Sequence, residues 1–452
     1  DAVLATVQVT VDASTHRPAR LRCTLSGETF ETEPLILERR VWLSPGSSSF
    51  SVELTIAQPR LWWPWDHGDP DLHQLTVDIL DDDSRLLDSA CHSLGLRQIE
   101  MKDWTLKVNG HRVYARGANW VPPDLFPGRV READYAALLN LARQANINLL
   151  RVWGGGLREK RAFYDLCDRL GILVWQEFPF ACAFLARYPR SRDYLRIVEA
   201  EARAIIRDIR HHASLALWCG GNEFSPRRNA PLIGVLERAV AREDPDRPFL
   251  PASPALGDSH NWRVWHHFQP PSAYRRDEAA FASEFGLQAP PDVPTLRRFL
   301  PPEDLWPAGP SWSYHGAGLA KLQRYAGAFQ ASRASTFEGF VEASQRAQAY
   351  GIRIAIEHYR RRKASGCGGM AVWQLNEPWP AISWSLLDFY RQPKPAYGVV
   401  KRLYNPVLVS ADFAPKRFRQ GDLLECDIWL INDGSQSYTG CHLSVALQNG
   451  QR

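Results

Sequence analysis

The chain has 452 residues, a formal net charge of +4, 23% charged and 45% hydrophobic residues, which predicts a multidomain globular protein rather than a disordered one. It has no basic block, finger or RNP-like motif, so nucleic acid is not expected as a partner, and no run of about 18 apolar residues, so no membrane span is expected. The 17 tryptophans, 14 tyrosines and 19 phenylalanines suit either core packing or stacking on sugar faces.

Residues 1–98 are predicted to form an immunoglobulin-like β-sandwich. Val7, Val9 and Val11 alternate with polar residues, and so do the apolar positions of 51–56 and 75–80, with turn signals at Pro45-Gly46 and Asp81–Ser84. The first residues lack the charged-then-apolar order of a secretory leader. The eight cysteines contain no CxxC pair and are expected to be mostly buried free thiols, which points to a reducing, cytoplasmic setting. Cys23 and Cys91 are the one pair that could bridge the sandwich.

From about residue 99 to 405, strand-like runs alternate with helical periodicity, as in a (β/α)₈ barrel. The strands are expected at 147–153, 171–176, 215–219 and 369–374. Leu138, Leu141 and Ala145 mark one helix. Ser191 is the expected N-cap of another, with Leu195, Val198, Ala202, Ile205 and Ile209 on its buried face. Residues 286–333, rich in Pro, Gly and Ser, are expected to be a long loop forming part of a pocket wall. His211 and His212 are placed at a helix C-terminus, where a cation compensates the dipole. Residues 406–452 are read as the start of a further β-sandwich, with a strand over 423–431.

In such a barrel, chemistry sits at the C-terminal ends of strands. Carboxylates follow four apolar runs there: Glu177, Glu223, Glu284 and Glu377. Any one of them alone reads equally well as a solvated strand end. Two that face each other across the barrel mouth supply what glycoside hydrolysis needs, a proton donor and a nucleophile. There is no HExxH, phosphate loop or nucleophile elbow, so neither a metal nor a cofactor is expected.

The series Arg116–Pro122, Leu149–Gly156, Phe163–Asp168, Gly171–Phe178, Leu217–Glu223 and Phe281–Gln288, in this order, resembles glycoside hydrolase family 2, and its β-mannosidases in particular. The resemblance implies Glu223 as acid/base and Glu284 as nucleophile. It implies Asn222 as a partner of the sugar 2-hydroxyl, and Trp120, Trp153, Trp175, Trp373, His260 and His266 as pocket residues. The implied activity is that of a retaining exo-β-glycosidase acting on small β-mannosides. Alternatives are a β-galactosidase or β-glucuronidase, or a carbohydrate-binding barrel without activity, although a barrel that only binds has no need of both glutamates. The chain departs from the family pattern at Leu157-Arg158-Glu159, at Gly221 and at Glu177, positions that bear on sugar specificity. The family's N-terminal jelly-roll domain is missing, so the chain is expected to be part of a longer protein with an open cleft. The mechanism predicts a Glu223 pKa raised by burial and by Glu284.

Overall fold

The computed structural model describes residues 2–184, 186–329, 336–413, 419 and 421–446. The sandwich comprises β1 (Ala2–Ala13), β2 (Arg17–Gly27), β3 (Leu35–Leu43), β4 (Gly46–Ala57), β5 (His73–Leu80) and β6 (Leu86–Leu94). β1 and β4 pair antiparallel along their whole length and face a second sheet of order β3-β2-β5-β6. The alternation works as expected: Val7, Val9 and Val11 of β1 pack against a core containing Leu21, Cys23, Leu25, Val77 and Ile79. The same period of two separates Cys23 from Cys91. Cys23 sits opposite Val77 inside the core, whereas Cys91 sits opposite Thr76 and is exposed, so both are free.

A small antiparallel sheet follows, formed by β7 (Ile99–Lys102), β8 (Thr105–Val108) and β9 (His111–Val113). Its Leu106, Val108 and Val113 pack with Trp62 of the sandwich and with Leu149, Leu173, Trp175 and Phe281 from the barrel strands. One apolar cluster therefore joins sandwich and barrel.

The barrel strands are β10 (Ala115–Trp120), β11 (Leu149–Val152), β12 (Leu173–Glu177), β13 (Leu215–Cys219), β14 (Phe249–Leu250), β15 (Asp258–Asn261), β16 (Phe281–Phe285) and β17 (Gly369–Val372). All pair in parallel, in the order β14-β13-β12-β11-β10-β17-β16-β15. Side chains link the two ends of this curled sheet. The Ser253 hydroxyl, just after β14, bonds Asp258 (2.7 Å) and His260 (3.0 Å) of β15 and Ser283 (3.0 Å) of β16.

The helices α1 (Glu132–Gln144), α2 (Arg161–Leu170), α3 (Arg192–Ile209) and α4 (Ala230–Glu243) cover the first strands. Ser191 caps α3 by accepting the Tyr194 N–H, and Val198, Ala202 and Ile209 are buried as expected, with Ile206 in place of Ile205. His211 does not act as a dipole cation. His212 is buried against Asp168 at 2.7 Å, and burial with its neighbour His212 pushes His211 down to about 4.

The segment expected as a loop instead holds four short helices, α5 (Val293–Phe299), α6 (Pro302–Leu305), α7 (Pro310–Tyr314) and α8 (Leu319–Gly327). Proline starts three of these helices, at a position whose N–H has no helical partner anyway. Asp292 caps α5 through the Thr295 N–H. Residues 330–333 of the expected loop lie outside the described residues. Two longer helices follow, α9 (Phe337–Arg361) and α10 (Pro395–Leu403).

β18 (Val407–Asp412) and β19 (Asp427–Asn432) pair antiparallel after the barrel. The expected strand over 423–431 begins only at Asp427. Buried charge fastens this pair to the barrel. Asp433 accepts from Arg360 of α9 at 2.6 Å, lies 3.0 Å from Lys363, and is 4.0 Å from Arg116 of β10. Removing one partner of such a cluster leaves guanidinium groups buried and uncompensated. Asp433→Ala is therefore expected to destabilise the protein by about 3–5 kcal/mol. A thermal midpoint unchanged in scanning calorimetry would contradict that role.

Candidate active site

Strand periodicity aims a polar layer at the barrel axis. On β11, Leu149 lies in the inner apolar cluster and Arg151 stands two residues further along the same face; on β12, Trp175 and Glu177 repeat the pattern. Arg151 is fully buried. Its guanidinium donates to Glu177 (2.9 Å), Asn119 of β10 (2.6 Å), Asn222 (2.7 Å) and Glu284 of β16 (2.7 Å). A fixed five-donor fork suits this arrangement, because each partner is a planar acceptor. Burial disfavours the charge, but Glu177 and Glu284 outweigh it and hold Arg151 firmly cationic.

Glu284 lies in this buried layer. One carboxylate oxygen accepts from Arg151, and the other from the Trp262 indole at 3.2 Å. Burial raises its pKa against the pull of His260 and Arg151.

Glu223 follows β13 on a loop of unusual backbone. Gly221 adopts φ +137°, and a Cβ there would lie 2.3 Å from the Phe180 carbonyl oxygen. Glycine fits this turn, which accounts for one of the sequence departures. Glu223 itself has φ +50°, a conformation that a non-glycine residue keeps only where its surroundings impose it. Here Glu223 N–H donates to Ser253 O (2.7 Å) and Asn222 N–H to Phe180 O (2.8 Å).

His260 joins the two glutamates. Its Nδ1 lies 2.9 Å from Glu223 Oε1 and 3.3 Å from Glu284 Oε2. One oxygen of each carboxylate and one imidazole nitrogen lie within 4.8 Å of one another. Burial opposes a charge on His260, but Glu284 and Glu223 outweigh it and raise its pKa. Conversely, burial would raise the pKa of Glu223, but the hydrogen bond and charge of His260, aided by Arg151, lower it. This corrects the expectation of a raised value. The imidazolium between the carboxylates was not anticipated, and it reverses the sign.

The other expected residues divide. Trp153 and Trp373 stand edge to face, 5.3 Å between centroids, and line a cavity of about 430 Å³ with Trp379 and Trp384. His266 is exposed beside Trp262, 5.2 Å ring to ring. Trp120 and Trp175 are core residues instead. Trp120 packs on Tyr135 and Phe163 and donates to Glu159, on the outer face of β10. Trp175 is fully buried between Trp104, Phe281 and the Arg151 guanidinium. Each lies one strand face or one layer away from the cleft. Of the other strand-end carboxylates, Glu177 serves Arg151, and Glu377 is buried with Ser383, Ser385 and Lys394.

Among the described residues, two groups could present ligand atoms to a metal ion: Glu223, His260 and Glu284, and Asp165, Asp168 and His212. In the first, the imidazole nitrogen is spent on a hydrogen bond to Glu223, with Glu284 3.3 Å away. In the second, His212 Nδ1 and both oxygens of Asp168 are already engaged, with each other and with Ser214 N–H. Neither arrangement offers a free donor set.

The model of glycosyl hydrolases family 2 matches residues 1–97, and that of the family's TIM barrel domain matches residues 99–251. The chain belongs to glycosyl hydrolase family 2. Within the family, it is 31% identical to β-mannosidase B of Thermothelomyces thermophilus, over 90% of this chain and 53% of that protein. It is also 31% identical to β-mannosidase B of Aspergillus niger, over 88% and 53%. The crystal structure of a β-D-mannosidase from Dictyoglomus thermophilum superposes with TM-score 0.85 at 32% identity, covering 95% of this chain and 55% of that one. An exo-chitosanase from Amycolatopsis orientalis, at 20% identity and TM-score 0.76 over 91% and 51%, shares the fold. The chain spans about half the length of the curated relatives it matches.

The charge pattern has a pH signature. His260 has a raised folded pKa, so its contribution to stability is complete below its ordinary value of about 6.5 and fades as pH rises through the folded value. Glu223 has a lowered folded pKa, so its contribution holds above its ordinary value of about 4.3 and fades as pH falls through the folded value. His260→Gln should therefore cost most thermal stability at about pH 5–6.5, with the gap to wild type narrowing towards about pH 9. A gap that does not vary with pH would mean that folding does not raise the His260 pKa.

Proposed function

We propose that this barrel hydrolyses terminal β-linked sugars with retention of configuration, and that the sugar is mannose. The approach of the two glutamates carries the reading: a carboxylate oxygen of each lies within 4.8 Å of the other. Retaining glycosidases keep their carboxyl groups about 5–5.5 Å apart, whereas inverting ones leave about 6.5–9.5 Å for a water. The mannose assignment rests on the relatives named as β-mannosidases.

In this reading Glu284 is the nucleophile. Arg151 and the Trp262 indole each hold one of its oxygens and so aim the carboxylate. Attack on the anomeric carbon breaks its bond to the leaving oxygen, and that oxygen takes a proton from Glu223. The product is a glycosyl ester on Glu284. Glu223, now ionised, removes a proton from water, the water oxygen bonds the anomeric carbon, and Glu284 leaves.

His260 supplies the proton that Glu223 lacks in the unliganded site. A bound sugar excludes water and raises the cost of each charge. Transfer along the 2.9 Å hydrogen bond from Nδ1 to Oε1 then converts an ion pair into a neutral acid and a neutral imidazole. Asn222, oriented by Arg151, is assigned to the 2-hydroxyl, and Trp153, Trp373 and His266 to the pocket wall. A reducing compartment such as the cytoplasm fits the eight unpaired cysteines.

The test uses the full chain and two substrates, 4-nitrophenyl β-mannoside and an alkyl β-mannoside. Glu284→Gln should abolish turnover of both. Glu223→Gln should cost about 10²–10⁴-fold on the alkyl substrate and far less on the nitrophenyl one, whose leaving group needs no proton. NMR should show the β-anomer of mannose as the first product. An α-anomer first, or an active Glu284→Gln, would sink the assignment.

A further inference from the structure

Beside the tryptophan-lined cavity lies a second one, of about 660 Å³. Asp124 borders both. The loop after β10 and the segment after β17 form the partition, tied together by the Leu125 N–H bond to Pro378 O (3.0 Å). The second cavity therefore opens at the C-terminal face of the barrel, next to the proposed sugar site. Its walls carry Arg129, Arg131, Arg298 and Arg391 against only Asp124 and Asp134.

Those two carboxylates are already occupied. Asp134 pairs with Arg131 (3.4 Å) and Arg391 (2.5 Å), and Asp124 lies 3.9 Å from Arg129. Arg298 differs from the other three. Its guanidinium lies over the Tyr390 ring, 3.4 Å from the centroid, and among the described residues no carboxylate lies within 4 Å of it. The ring contact restrains the guanidinium, which is otherwise exposed and free of ion pairs among the described residues. A flat, unpaired guanidinium in a recess with an excess of positive charge is the equipment for a planar anion. Phe389 and Tyr390, both part-buried in the same wall, add apolar surface of the kind that sugar rings contact.

We infer that this cavity is a subsite for a carboxylate-bearing sugar, a uronic acid residue attached to the mannoside being cleaved, with Arg298 as the group that reads the carboxylate. The inference rests on the β-mannosidase reading for what is attached, but the pocket's preference can be measured without turnover. A guanidinium–carboxylate pair on a half-open surface weakens with salt, so the preference should be strongest at low ionic strength.

The experiment is calorimetric binding to the full-length Glu284→Gln variant. The probes are β-mannosyl-(1→4)-glucuronic acid, β-mannosyl-(1→4)-glucose and the 6-sulfate of the latter. The uronate should bind at least roughly fivefold more tightly than the neutral disaccharide, and 0.5 M salt should remove the advantage. Adding Arg298→Gln should abolish it while leaving affinity for the neutral probe unchanged, and Arg298→Lys should restore only part. Equal affinity for uronate and neutral probes, or no binding of either, would overturn the inference. So would a preference that survives Arg298→Gln, and tighter binding of the sulfate would replace the carboxylate with a sulfate ester as ligand. Wild-type turnover of 4-nitrophenyl β-mannoside is measured in parallel. Its absence would count against the proposed activity, and a uronate preference sensitive to Arg298 would stand apart from that result.

Discussion

The buried guanidinium of Arg151 is the constraint on which the site depends. One residue on β11 bonds acceptors from β10, β12, β16 and the loop after β13. A cation in this interior is tolerable only because Glu177 and Glu284 supply opposite charge and Asn119 and Asn222 supply dipoles. The requirement is mutual, since Glu284 and Glu177 would be just as costly without the cation. Strand register and the aim of the proposed nucleophile are thus fixed together, and the Arg151 charge pulls against the burial that raises the Glu284 pKa. Apolar packing of Trp104, Trp175 and Phe281 directly below keeps water from loosening the layer.

The second dependence is on the proton shared around His260. Glu284 is buried and Glu223 part-exposed, so isolated glutamates in these places would both lean towards the neutral form. The imidazolium changes this by stabilising the carboxylate nearest it. These contacts favour a proton on the His260 nitrogen, one hydrogen bond from the oxygen proposed to deliver it. Ser253 at the far nitrogen of His260 couples this proton to the seam between β14 and β15. Closing the barrel and orienting the imidazole are consequently one structural task.

Much of this was legible in the sequence, for identifiable reasons. Val7, Val9 and Val11 revealed a strand because one face is wet and the other dry. Ser191 revealed a helix start because its side chain has a specific N–H to bond. Glu177, Glu223, Glu284 and Glu377 stood out because polar residues directly follow apolar runs, and the family resemblance singled out Glu223 and Glu284 among them. What the sequence hid depends on direction and on distant partners. Trp120 and Trp175 look like pocket residues by neighbourhood, but strand alternation sends the first outward, and the second lies one layer too deep. Arg151 sits inside an apolar run and gave no periodic signal, although a lone arginine among Leu149, Leu150 and Val152 can be buried only with paired acceptors, and that is a signal sequence reading can use. Trp262 and Asn119 became functional candidates only through contacts across 22 and 32 residues. The prolines of 286–333 read as loop markers because composition does not distinguish a proline that ends a helix from one that begins it.

The two cavities at the barrel mouth show how a shared fold permits different specificities. The layer around Arg151 is built from strands, where register leaves little freedom. Much of the cavity walls comes from residues 121–131 and 373–391, which follow β10 and β17, with Trp153 added after β11, Asp134 from α1 and Arg298 from α5. Changes at the exposed wall positions, such as Arg129, Arg131 and Arg298, cost little in core packing, whereas Leu375, Ile382, Leu386 and Leu387 of the second segment are core residues. Chemistry is thereby held by buried charge, and recognition is left to loops. A strand scaffold of this kind sets where reacting groups can stand, and the side chains on the loops set what reaches them.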